Sequence, residues 1–115
     1  MIIGCSITGA KNSAMMQFTP AEIAVIASAL AQFVEAEESD MSGDRATDEE
    51  IKTARNLERR FRRGFIPMLY AGAEIVALYD AVNLYADVAE DIQDDDRAIC
   101  DDMIETMRPA AIAAA

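Results

Sequence analysis

The densest run of ionisable groups is Arg59-Arg60-Phe61-Arg62-Arg63, four positive charges in five residues. Guanidinium groups hold phosphates and carboxylates through paired N–H donors, so Arg59, Arg60, Arg62 and Arg63 form the candidate anion-binding site. They can cradle an anionic nucleotide or pair with carboxylates of the fold. The electrostatic opposite lies downstream, where residues 87–105 hold nine acids and one arginine. Asp80, Asp87, Glu90, Asp91, Asp94, Asp95, Asp101 and Asp102 make the candidate partner-binding face, suited to a protein with a basic surface. The two regions can attract each other within the fold, join copies of the chain head to tail, or meet two surfaces of a partner.

Carboxylate spacing raises metal chemistry next. Asp101-Asp102-Met103-Ile104-Glu105 has the DDxxE spacing that puts carboxylates four apart on one helix face, able to hold magnesium against a diphosphate. Asp91, Asp94 and Glu105 with magnesium would be the hydrolase version. An exposed acidic face accounts for the same residues without a metal, and no cofactor is expected. Asp40-Met41-Ser42-Gly43-Asp44 opens like a calcium loop, but Arg45 replaces the turn glycine and Ile51 the bidentate glutamate. Residues 4–12 imitate a phosphate loop with the lysine displaced by one position and no Ser or Thr after it. The chain has no histidine, so it has no Ser-His or Cys-His pair and no imidazole ligand. No catalytic residue is assigned, and the expectation is a non-enzymatic protein.

All-α nucleotide pyrophosphohydrolases of the MazG type are also short acidic bundles, built around an EExxE segment and a later ExxD segment. Neither spacing is present: Glu37-Glu38 and Glu49-Glu50 are followed three positions later by Met41 and Thr53, and Glu74 by Ala77. Glu74 is itself informative. At 100° per residue it falls in an apolar sector with Tyr70, Ala77, Leu78, Ala81, Tyr85, Val88 and Ile92. Burial there demands a partner, and Arg55 or Arg59 of the preceding helix is expected to supply an interior ion pair. A binding-site carboxylate is the alternative. Cys5 and Cys100, 95 positions apart, are read as two free thiols, with one long disulfide-closed loop as the alternative.

Five elements must position these groups. Residues 1–17 form an N-terminal arm, where alternating Ile3, Cys5 and Ile7 suggest a strand that needs a partner, such as a second copy, while Gly4, Gly9, Asn12 and Ser13 suggest a loop. Residues 18–115 form the helical domain. Thr19-Pro20-Ala21-Glu22 is a helix start with a capping box, and Ile23, Ile26, Ala27, Leu30, Phe33 and Val34 make its apolar stripe. Thr47-Asp48-Glu49-Glu50 repeats that start before a helix striped by Ile51, Ala54, Leu57, Phe61 and Phe65, interrupted at Gly64 and Pro67. A third helix is predicted from about Pro67 to Gln93, with its acids on one arc and the rest apolar. The last is capped by Asp94-Asp95-Asp96 and faces Ile99, Met103, Ile104 and Met107 inward, until Pro109 ends it and the alanine tail frays. The fold class is therefore all-α, a compact antiparallel bundle of about four helices with a short irregular or strand-like N-terminal arm.

Composition bounds the function. A chain of 115 residues, 52% hydrophobic, suits one domain, and a net charge of −11 argues against nonspecific binding to nucleic acid or anionic membranes. The apolar stretch from Phe65 to Ala89 carries Glu74, Asp80 and Asp87, each costing about 2.5–3.5 kcal/mol at a bilayer midplane, so no membrane span is expected. Met1-Ile2-Ile3-Gly4-Cys5 imitates the end of a lipoprotein cleavage box without the basic and apolar regions such a signal needs, and a cytoplasmic protein is expected. In size and charge, though not in any motif, the chain resembles phage and mobile-element inhibitors of host defence, including anti-CRISPR proteins. That resemblance implies an inhibitor acting by protein–protein contact on a basic partner, and a homo-oligomer is expected. The alternatives are an oligomeric sponge for an anionic nucleotide second messenger and a magnesium-dependent nucleotide hydrolase.

Overall fold

The computed structural model describes residues 2–4, 14–39, 48–66, 69–88 and 94–114. The first helix, α1 (Pro20–Ser39), begins as its local chemistry dictates. The Thr19 N–H donates to Glu22 Oε1 (2.8 Å) and the Glu22 N–H donates to Thr19 Oγ1 (3.2 Å), a reciprocal capping box with Pro20 at the first helical position. Val25, Ile26, Ala29, Leu30 and Phe33 of this helix are buried, and Ile23, Ala27 and Val34 pack against the same core.

Helix α2 (Asp48–Arg63) buries Ala54, Leu57 and Phe61; the expected cap at Thr47 lies outside the described residues. It closes with a Schellman turn: Gly64 adopts φ 83°, its N–H donates to Phe61 O (3.2 Å), and the Phe65 N–H donates to Arg60 O (2.9 Å). The left-handed glycine turns the chain off the helix axis. Phe65 therefore leaves the α2 stripe on which its spacing placed it, and its side chain is 72% exposed.

The third helix starts later than the sequence suggested. Leu69–Tyr70 is a short strand, β3, pairing antiparallel with β2 (Ala14–Gln17), which pairs antiparallel with β1 (Ile2–Gly4) in the order β1-β2-β3. The strand-like arm thus finds its partner in its own chain, with Met15 opposite Leu69 and Ile3 opposite Met16. Burial explains why Tyr70 is extended. In this geometry Tyr70 and Met16 point into the core, and Phe18 meets the Tyr70 ring edge-on at 5.9 Å and the Phe61 ring at 6.2 Å.

Helix α3 (Gly72–Val88) is the hub, packing against α1, α2 and α4 with Ile75, Ala77, Leu78, Ala81 and Val82 buried. Helix α4 (Asp94–Ala114) buries Cys100, Met103, Met107 and Ala111, while Ile99 and Ile104 are partly covered. It does not stop at Pro109, as the sequence suggested. Met107 and Ala111 dock on either side of the proline, and alanine has the strongest helix propensity, so packing carries the helix through the missing N–H. The result is an all-α bundle of four helices with a small antiparallel sheet.

Candidate functional site

The arginine run occupies the last turns of α2, where Arg59, Arg60, Arg62 and Arg63 are all exposed. Arg62 pairs with Glu58 one turn earlier. Arg60 Nη1 lies 3.6 Å from Glu74 Oε2 and ties the end of α2 to the start of α3. Among the described residues, Arg59 and Arg63 have no carboxylate partner. Arg60, Gly64, Phe65 and Ile66 line a shallow groove beside them.

This corrects the reading of Glu74. Its partner is Arg60, not Arg55 or Arg59, and the pair sits at the surface, with Glu74 about a quarter exposed (23%) and Arg60 half exposed (54%). Because α3 begins at Gly72, Glu74 is in its first turn, and its Oε1 accepts the Ala71 N–H at 2.9 Å. Glu74 thus makes the acid's half of a capping box, with no side-chain oxygen on Ala71 to make the other half, a role concealed by placing the helix start several residues early.

The acids at the start of α4 lie toward the other end of α3. Burial pushes the Tyr85 phenol up, and Asp96 and Cys100 push it the same way, so the start of α4 lies beside the end of α3. Further along, Arg108 Nε donates to Tyr79 Oη (3.4 Å), so α4 runs back along α3. That contact lowers the exposed Tyr79 phenol from its ordinary value and raises Arg108. Asp87, Asp94, Asp95, Asp101 and Asp102 are exposed. Asp80 is partly buried, so the α3 part of the face exposes less charge than its arc suggested, and the neutral Asn83 amide beside it donates to Tyr79 O (3.0 Å). Glu90 and Asp91 lie outside the described residues.

Asp101, Asp102 and Glu105 are exposed along α4, and no group of three or more metal-ligating side chains is assembled among the described residues. The phosphate-loop and calcium-loop look-alikes at 5–12 and 40–44 lie outside them, as does Cys5. Cys100 is a free, fully buried thiol, pushed up first by burial and then by Asp101 and Asp96. No described helix is long and apolar enough to cross a membrane. Sequence reasoning missed Phe65, whose exposure follows from the Gly64 turn; the Gly-Phe pair after an arginine-rich helix end was the available signal. Comparison with family models, with curated proteins and with solved structures finds no match to this chain.

Proposed function

We propose that this chain is a small acidic binding protein that works by protein–protein contact, presenting the acids of α4 and the end of α3 to a basic surface. A nucleic-acid channel of a host defence complex is the partner that fits this chemistry best, which makes the chain an inhibitor of the phage or mobile-element kind. The carrying observation is the excess of exposed acid on α4: Asp94, Asp95, Asp101, Asp102 and Glu105 outnumber the exposed Arg97 and Arg108 of the same helix, which is not extensively packed against arginine-bearing α2 among the described residues. Acids left unneutralised by their own fold raise association rates with a basic partner and exclude acidic ones. Nucleotide capture by Arg59, Arg60, Arg62 and Arg63 has weaker support, since Glu58 and Glu74 already engage two of the four.

The test measures DNA binding by a purified CRISPR effector complex with and without the protein. Inhibition that is lost in Asp101→Lys/Asp102→Lys and retained in Arg59→Glu/Arg63→Glu is the expected result. Inhibition that follows the arginines instead, or unaltered DNA binding across the defence complexes of the host, would remove the support for this reading.

A further inference from the structure

We propose that this protein associates with itself through opposite poles, the arginine end of α2 with Phe65 in one copy seating on the exposed α4 face of another. This goes beyond the inhibitor reading and does not depend on it.

Three observations converge. The first is geometric. The Arg60–Glu74 contact fixes the cationic pole at the start of α3, and the Tyr85–Asp96 proximity fixes the anionic pole near its end. Glu74 and Tyr85 are eleven residues apart on α3, so the contacts that mark the two poles lie about 16 Å apart along the helix, about two Debye lengths of about 8 Å at physiological salt. The acids at the start of α4 are thus largely screened from the arginines of their own chain. A second copy can bring the two into contact.

The second observation is the aromatic residue. In a Schellman turn the apolar residue after the glycine usually folds back onto the helix. Here the helix position it would cover is Arg60, and Phe65 is left 72% exposed, with its own N–H bonded to Arg60 O and the preceding Gly64 N–H to Phe61 O. Leu69 and Met15, paired across β3 and β2, are also exposed, at 61% and 43%. An exposed, preorganised aromatic flanked by arginines is the composition that dominates binding energy at protein interfaces.

The third is the complementary surface. Asp94, Ala98, Asp101 and Glu105 follow one another at steps of four, three and four along α4, and all are exposed. They share one helix face, with a small side chain among three acids and with the exposed Arg97 and Arg108 along one border of it. A phenyl ring can seat over Ala98 while Arg59 and Arg63 reach the flanking carboxylates. Contacts between like poles are repelled, so charge selects the opposite-pole arrangement alone.

Sedimentation or light scattering on the isolated chain gives the test. In low salt the wild-type protein is expected to exceed its single-chain mass of 12.5 kDa, and high salt should return it to that mass. Arg59→Glu/Arg63→Glu and Asp101→Lys/Glu105→Lys should each be single chains, folded by circular dichroism. Mixed in equal amounts they should associate again, because the intact pole of each meets its complement on the other and the two reversed poles are complementary as well. Phe65→Ala should weaken wild-type association about tenfold or more. A wild-type chain that stays single at all concentrations in low salt, or variants that fail to associate when mixed, would overturn the proposal. So would a cyclic dinucleotide binding at the arginine pole of a chain that never associates. Because no partner is present, these outcomes are independent of whether the chain inhibits a defence complex.

Discussion

Tyr70 carries the least satisfied group described in the core: its hydroxyl is buried and has no hydrogen-bond partner. An unmade bond of that kind costs about 1–3 kcal/mol, so Tyr70→Phe should stabilise the fold by about 1 kcal/mol, measured as a higher urea midpoint. The pH dependence has a definite sign. Burial, reinforced by Glu74 and opposed by Arg60, raises the Tyr70 phenol above its ordinary value of 10.0. The folded chain therefore holds this proton more tightly than the unfolded one. The contribution is complete below pH 10.0 and is lost as the pH climbs past it toward the folded value. Tyr70→Phe should accordingly lose less stability than the wild type on going from neutral to strongly alkaline solution, and the comparison cancels every other titrating group. Cys100 behaves in the same sense from a lower ordinary value of 9.0. Its burial also predicts that, in Cys5→Ser protein, no thiol reacts with a disulfide reagent until denaturant is added.

The helix ends decide the architecture at the scale of elements. At Gly64 an added Cβ would meet no atom within 4 Å, so space is no obstacle and the cost of a side chain is purely that of the positive φ. Gly64→Ala should destabilise by about 1 kcal/mol and Gly64→Asn by less, read from denaturant melts. At the start of α3, Glu74→Ala removes a cap and an exposed ion pair together. The expected loss is about 1–2 kcal/mol, mostly from the cap, and Glu74→Gln should recover most of it, since an amide oxygen can still accept the Ala71 N–H. Full loss in Glu74→Gln would mean that the Arg60 contact dominates. Within α4, Pro109 removes one backbone bond, so Pro109→Ala should stabilise the helix if its later turns pack as described.

The molecule as a whole is an electrostatic dipole with a large net negative charge. Self-repulsion at −11 opposes compactness, and added salt screens it, so the melting temperature of the dilute chain should rise with ionic strength. Contacts between opposite poles should weaken over the same range. The two responses separate intramolecular repulsion from intermolecular attraction, and melting temperature and mass recorded across one salt series would show both. A melting temperature that falls with salt would mean that attractive pairs, rather than net repulsion, control the fold.

The features legible in the chain itself are those whose interactions close within one helical turn or follow from counting charges. The Thr19–Glu22 box, the α1 stripe and the identity of the two charged clusters belong to that class, because partners three or four residues apart meet wherever a helix forms. Whether Tyr70 is strand or helix, which arginine meets Glu74, and whether Pro109 ends α4 were settled by contacts between segments far apart in sequence. The β2–β3 pairing, the junction of α2 with α3 and the docking of Met107 and Ala111 each outweigh a local preference of a few kcal/mol or less. The separation of the two clusters is of the same kind: composition supplies both charges, but only the antiparallel return of α4 along α3 carries the start of α4 away from the arginine end of α2.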